Sequence, residues 1–287
     1  MQVTETKSAL MKLLAPLRLE GKRISFVPTM GALHRGHISL VDRARKECDI
    51  VVCSIFVNPT QFNNPGDLKN YPRTVKQDSA MLEKALVDIV FLPSVEEMYA
   101  PGEIEETFDF GMLDKVMEGA QRPGHFKGVA IIVSKLFEIV RPHKAYFGEK
   151  DFQQLTIIRE LVNQRKSLTY GIEIIGCETV REQSGLAMSS RNMRLTEDER
   201  KEAANIYKAL SMIKSEWKKS NTNNAEIINK AIKVIEQNGM MKVEYLEIAD
   251  EKTLMPVNSE NQGKLLRCFA AIQLGNVRLI DNMKLEI

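Results

Sequence analysis

With 287 residues, 44% of them hydrophobic and 27% charged, the chain has the length for two domains and an ordinary globular composition, which excludes a disordered or fibrous protein. Forty Lys and Arg against 38 Asp and Glu leave a net charge of +2, too balanced for the basic surface that binding a nucleic-acid backbone requires. Apolar runs such as IVVCSIFV stop far short of the ~18–20 residues that span a bilayer, and the opening MQVTETKSAL has no signal-peptide core. Neither nucleic acid nor membrane is expected as a partner, and a cytoplasmic location is.

Leu10, Leu13, Leu14 and Leu17 recur at helical spacing and predict a first helix, which Pro16 should kink or end early. RISFV, DIVVCSIFV, DIVFLP, KAYFG and GIEIIGCETV then read as short strands, separated by helical patterns over roughly 38–47, 74–86, 125–140 and 151–166. Strands alternating with helices mean βαβ crossovers and a parallel sheet covered on both faces. The fold class expected is therefore α/β, with a Rossmann-like domain over residues 1–176.

Beyond residue 176 the rhythm changes. Thr196 and Glu199 stand at capping-box spacing before one long helical pattern, and NNAEIINKAIKVIEQNG gives a second that ends at a glycine. KVEYLEIAD, LLRCFAAIQL and VRLIDNM follow as strands, with Gly275-Asn276 as a tight turn between the last two. Residues 177–287 are expected to form a smaller α+β lid domain. Cys48, Cys53, Cys177 and Cys268 form no CxxC pair and sit in apolar segments, as reduced buried thiols do.

Chemistry concentrates where predicted strands end, because the free N–H groups of the following helix favour anions there. In PTMGALHRGH, residues 28–37, Gly31 suits a tight turn, Gly36 admits a close ligand, and His34 and His37 fall on one side of the opening helical turn. Two imidazoles so placed can donate hydrogen bonds to a phosphoryl oxygen. The same spacing suits a capping and packing pair, or half of a metal site whose remaining ligands are not apparent.

FVNPTQF offers the amides of Asn58 and Gln61 for hydroxyl or carboxylate recognition, or else a plain Asn-Pro turn. FGEKDFQQL places Lys150 and Gln154 at a later strand end, as a phosphate cation and a second amide or as a solvated cluster. GLAMSSRN sets two hydroxyls and Arg191 on a loop that either clamps phosphate or caps a helix. RPGHF, with His125, reads as capping a helix and supporting a dimer surface in preference to lining the site, and His143 reads as a surface loop residue.

These five motifs, in their order along the chain, resemble the pantothenate synthetase (pantoate–β-alanine ligase) family within the HxGH nucleotidyltransferase superfamily. The resemblance implies condensation of pantoate with β-alanine, driven by cleavage of ATP to AMP and pyrophosphate through a pantoyl-adenylate. ATP then enters as a substrate with Mg2+, and the family is typically homodimeric. Carried over residue by residue, the resemblance assigns catalysis to His34, His37, Lys150 and Arg191. It assigns ATP binding to Met30, Gly31, Ala32, Leu33, His34, Arg35, Gly36 and His37, to Gly148, Glu149, Lys150 and Asp151, and to Val180, Met188, Ser189, Ser190 and Arg191. Gln61 and Gln154, with Asn58 in support, would bind substrate. No protein metal site is implied; Asp78 would help position Mg2+ or stand as an ordinary carboxylate on a helix face. Two rivals explain HRGH alone: a nucleotidyltransferase whose product keeps the nucleotide, and a non-catalytic nucleotide sensor.

Overall fold

The computed structural model describes residues 1–100, 107–165, 171–217, 224–257 and 265–285. The chain forms two compact units, one of Met1–Glu149 with Gln154–Glu178, the other of Lys150–Gln153 with Thr179–Ile287.

In the first unit, strands β1 (Gln2–Thr4), β2 (Ile24–Thr29), β3 (Ile50–Ile55), β4 (Ile89–Phe91), β5 (Lys144–Gly148) and β6 (Glu173–Cys177) make one sheet in the order β1-β4-β3-β2-β5-β6. Every pairing is parallel. Helices α1 (Lys7–Leu19), α2 (Arg35–Glu47), α3 (Pro65–Lys69), α4 (Val75–Lys84), α5 (Val95–Met98), α6 (Met117–Gln121), α7 (His125–Val140) and α8 (Phe152–Gln164) lie between or after them. The central strands are buried almost throughout, which is why they are written as unbroken apolar runs and not as alternating ones.

The chain goes from β2 to β3 on one side and later returns to β5 on the other, so the order reverses beside β2. There β2 and β5 part: their register ends at Phe26 and Ala145, whereas β2 continues against β3 to Thr29 and Ile55. Pro28 falls in that last stretch, with its nitrogen on the side β5 has left, so its missing N–H breaks no ladder bond. Such a switch point at the C-terminal ends of strands is where open α/β sheets hold ligands.

Two local expectations need revising. The polar start holds β1, three residues long and paired to β4, too short to announce itself against its hydrophilic neighbours. Of the two readings of Pro16, a kink or an early end, the early end fails: helix α1 runs on to Leu19, anchored by Leu10 and Leu14, which are fully buried. Burial of each such leucine contributes about 1.5–3 kcal/mol, enough between them to offset the roughly 3 kcal/mol an internal proline costs.

At the far end of α2, Glu47 accepts hydrogen bonds from Lys144 Nζ at 2.8 Å, Arg43 Nε at 2.8 Å and the Tyr146 hydroxyl at 3.1 Å. Lys144 first, then Arg43, hold its carboxyl down from the ordinary 4.5 to about 2. A depressed folded-state value means that Glu47 contributes stability in full above pH 4.5 and loses it as the pH falls towards 2. Glu47→Gln is therefore expected to melt below the wild type at pH 7, with the two curves converging as the pH drops below 4. A deficit of the same size at pH 3 would count against this assignment.

In the second unit, β7 (Met241–Asp250), β8 (Leu266–Leu274) and β9 (Val277–Leu285) form an antiparallel meander, with Gly275 at φ 52° in the two-residue turn between β8 and β9. Ala203, Ile206, Leu210 and Ile213 make the buried stripe of the helix Glu197–Trp217, and Ile227, Ala231 and Ile235 that of the helix Asn224–Glu236. Both pack with Leu246, Ile248, Cys268, Ala270 and Ile272 of the sheet. The capping box forms as spaced, Thr196 N–H to Glu199 at 2.8 Å and Glu199 N–H to Thr196 at 3.2 Å. All four cysteines are free and buried.

Candidate active site

After β2 the chain turns through two left-handed residues, Gly31 at φ 77° and Ala32 at φ 49°. A Cβ on Gly31 would meet Ile55 Cγ2 at 3.0 Å and Asp78 Oδ2 at 3.1 Å, so the position is closed to side chains. Alanine in this region costs roughly 1–2 kcal/mol. What holds it is Asp78 in α4, only 1% exposed: Oδ2 accepts from Ala32 N–H at 3.0 Å, and Oδ1 from Leu33 N–H at 2.8 Å and the Thr74 hydroxyl at 3.1 Å. Asp78 does belong to a helix, as read, but it is buried there and its oxygens serve the loop's amides.

The turn delivers His34 to the N-cap of α2, where its Nδ1 accepts from Gly36 N–H at 3.1 Å; His37 Nδ1 accepts from His34 N–H at 3.3 Å. The rings lie 4.1 Å apart between centroids. Since Nδ1 is the acceptor in each, the neutral ring carries its proton on Nε2. The capping reading is what the structure shows, and it accommodates the chemical one, for the cap leaves each neutral imidazole with its N–H on Nε2 at the positive end of a helix. Arg35 is exposed, and Gly36 and His37 are half-buried.

Gln61 closes the short 3-10 turn Pro59–Gln61, is 8% exposed, and points its Nε2 at Met30 Sδ, 3.0 Å away, which joins the amide motif to the histidine loop. Asn58 was expected among the substrate-binding residues, and here the structure differs. At 1% exposure its Nδ2 donates to Gln61 Oε1 and Gly128 O, both at 3.1 Å, while its Oδ1 accepts from Thr60 at 3.0 Å and Tyr99 at 2.6 Å. It orients Gln61 from behind.

RPGHF also has a different place from the one favoured above. His125 begins α7 at 7% exposure with Nδ1 2.8 Å from the Gln61 carbonyl, and Arg122 lies 3.2 Å from both that carbonyl and His125 Nε2. A guanidinium only donates, so Nε2 accepts and Nδ1–H donates to Gln61. Gly128 allows the approach, since a Cβ there would lie 2.5 Å from Thr60 O. The motif is a clamp on Gln61, and the signal for it was the glycine pair around His125. His143 is an exposed loop residue, as read, whose Nδ1 accepts from Ile24 N–H at 3.0 Å.

β5 ends at Gly148, and Glu149–Asp151 forms a 3-10 turn into α8. Lys150 has a side chain 17% exposed with Nζ 3.8 Å from Asp151 Oδ1. Gln154, half-buried in the first turn of α8, belongs to the first unit. In the second unit Val180 and Met188 face each other across a hairpin, Met188 N–H to Val180 O at 3.0 Å. Ser189 caps the turn Ser190–Arg194 by accepting from Arg191 N–H at 3.3 Å; Ser190 is 7% exposed, and Arg191 half-buried. The first unit thus assembles Met30, His34, His37 and Gln61 with Asn58 behind, and the second holds Lys150, Val180 and Met188–Arg191.

Burial pushes the Cys53 thiol up to about 12 and that of Cys177 to about 11, with Cys268 raised further, so these thiols stay protonated and are no nucleophiles. What the histidines of the first unit and Lys150 of the second offer is hydrogen-bond donation and positive charge, not a nucleophile.

The chain matches the family model described as Pantoate-beta-alanine ligase over residues 2–284. It is 48% identical to the pantothenate synthetase of Christiangramia forsetii over all of both chains, and 49% identical to that of Cytophaga hutchinsonii over 94% of each. Among solved structures it resembles the pantothenate synthetase of Thermus thermophilus with a TM-score of 0.91 and 40% identity over the whole of both chains. The pantoate-beta-alanine ligase of Francisella tularensis, complexed with β,γ ATP and β-alanine, follows with a TM-score of 0.81 and 36% identity, over 100% of this chain and 98% of that one.

Proposed function

Because the chain belongs to the pantoate-beta-alanine ligase family, we propose that it condenses pantoate with β-alanine at the cost of ATP, in two steps. A pantoate carboxylate oxygen attacks the α-phosphorus of ATP and pyrophosphate leaves; the amine of β-alanine then attacks the acyl carbon, AMP leaves, and the amine loses its proton. A carboxylate is a poor acyl donor until AMP is made its leaving group, and holding the reactants in line supplies much of the rate.

The observation that carries the reading is the pair of Nε2–H donors that His34 and His37 present at the start of α2. Charge develops on phosphoryl oxygens as pyrophosphate departs, and donors fixed in advance stabilise it without reorganising. Lys150, Arg191 and the hydroxyls of Ser189 and Ser190 supply further charge and hydrogen bonds to the phosphates, with the backbone of Val180 serving adenine. Gln61 and Gln154 take pantoate's hydroxyl and carboxylate oxygens.

Mg2+ enters as the counter-ion of ATP, held by phosphates and water in the way usual for this ion. Among the described residues no group of three or more His, Cys, Asp or Glu is assembled to hold a metal ion. A cytoplasmic homodimer belongs to the same proposal; among the described residues no helix is long and apolar enough to cross a membrane.

Exchange of labelled pyrophosphate into ATP, with Mg2+ and pantoate but without β-alanine, tests the first step. Pantoate-dependent exchange is expected, and release of free AMP once β-alanine is added. ATP binding without any pantoate-dependent exchange would overturn the proposal.

A further inference from the structure

Lys150 and the loop Met188–Arg191 lie far apart in the chain, yet both are tied to adjacent residues of β9. Asp281 and Asn282 are 4% and 3% exposed. The Asp281 carboxylate takes both arms of Arg181, Nη1 to Oδ2 at 2.6 Å and Nη2 to Oδ1 at 3.0 Å, a charge-assisted fork that fixes orientation as well as distance. Arg181 also donates to Gly185 O at 3.1 Å and Asn282 O at 3.3 Å. It stands at the base of the hairpin that runs through Met188 into Ser189.

The Asn282 carboxamide reaches the other way. Its Nδ2 donates to the backbone carbonyl of Lys150 at 2.8 Å, and its Oδ1 accepts from Arg267 Nη1. Because a guanidinium only donates, Arg267 settles which way the amide faces. Arg267, 5% exposed, is held in turn by Glu251 at 2.9 Å and lies over the ring of Phe152 at 3.9 Å, two residues past Lys150. In keeping with these bonds, Lys150–Gln153 clusters with the second unit although the residues on either side belong to the first.

We propose that Asp281 and Asn282 are positioning residues for the nucleotide's phosphates. Asn282 fixes the backbone from which the Lys150 side chain springs, and Asp281, through Arg181, fixes the hairpin that carries Ser189–Arg191. The inference rests on the assignment of those groups to the phosphates. A lysine ammonium sits on a flexible four-carbon stem, so its charge is placed only as well as its backbone. The sheet already has an apolar core with two helices, and buried ion pairs are weak stabilisers beside apolar packing. One buried arginine, Arg267, and one half-buried arginine, Arg181, converging on these two residues therefore fit a demand for placement.

The test is pyrophosphate exchange by the full-length protein carrying Asn282→Ala or Asn282→Asp. The second variant keeps an acceptor for Arg267 and replaces the donor to Lys150 with a carboxylate oxygen that repels its carbonyl, so it decides the matter if the first fails to fold. Both are expected to lower kcat by up to about a hundredfold, the scale of loss from a displacement near 1 Å, with KM for pantoate unchanged. Asp250→Ala provides a control in the same sheet: Asp250 is 4% exposed and accepts from the amides of Lys252 and Thr253, so its loss should lower the melting temperature and leave kcat alone. Added to Lys150→Ala, Asn282→Asp should slow exchange no further, since its effect passes through that lysine. Wild-type kcat in Asn282→Asp, or an additive loss in the double variant, overturns the inference while leaving the ligase reading intact. Absence of exchange in the wild type overturns both.

Discussion

Replacing His37 with alanine is expected to slow pantoate-dependent pyrophosphate exchange by about a hundredfold or more, the usual consequence of removing one fixed donor to developing charge. Alanine removes two things at once: the Nε2–H donor, and the Nδ1 acceptor that receives His34 N–H at 3.3 Å. Loss of the second also loosens the helix start, by about 0.5–2 kcal/mol for a cap of this kind. His37→Glu separates the two, because glutamate three residues after an N-cap can take over the cap's N–H while its carboxylate has no donor to offer where the imidazole Nε2 stood. The melting temperature should return in His37→Glu and the rate should not. A glutamate variant that regained the rate would show that the imidazole serves the helix alone.

Asp78→Ala should cost about 3–5 kcal/mol of stability and abolish exchange, although Asp78 touches no substrate in the proposed reaction. The change strands the amides of Ala32 and Leu33 without their acceptors, and each buried amide so stranded costs about 1–3 kcal/mol. The left-handed pair Gly31–Ala32 then loses what holds it, and His34 follows directly on that turn. Asp78→Asn keeps the shape and leaves one oxygen to accept, so it should lie between wild type and alanine in both stability and rate. Denaturant unfolding and amide hydrogen exchange at Ala32 and Leu33 measure the two effects separately. Protection at those amides equal to wild type in Asp78→Ala would remove Asp78 from this role.

Elements whose signals are local were legible in the sequence. The segments read as KAYFG and as residues 125–140 coincide with β5 and α7, and the capping box at Thr196 forms between residues three apart. The order of strands and helices was enough for the α/β sheet with a smaller α+β part, and the family's motifs marked the loops at the strand ends. Supports that act across the chain were another matter. Asp78 meets Ala32 46 residues away, and His125 meets the Gln61 carbonyl 64 residues away. Nothing within the segment of Asp78 distinguishes a clamp from an ordinary helix-face carboxylate, and at His125 the flanking glycines were the one local sign. Asn58 was picked out for its amide, correctly as a member of the group around Gln61, but burial decides between touching a ligand and backing the residue that does.

The short segment Lys150–Gln153 has one more consequence, in the order of events at the ribosome. The residues that flank it can join the parallel sheet once the chain has been made through Glu178, but the carboxamide that donates to the Lys150 carbonyl sits in β9, the last of the described strands. Asn282 follows the lysine by 132 residues, or roughly ten seconds of translation at ordinary rates. A nascent chain halted in that interval can fold its sheet and present both histidines, yet its lysine has no fixed seat. The backbone that carries Lys150 therefore gains this partner only after β9 has been made.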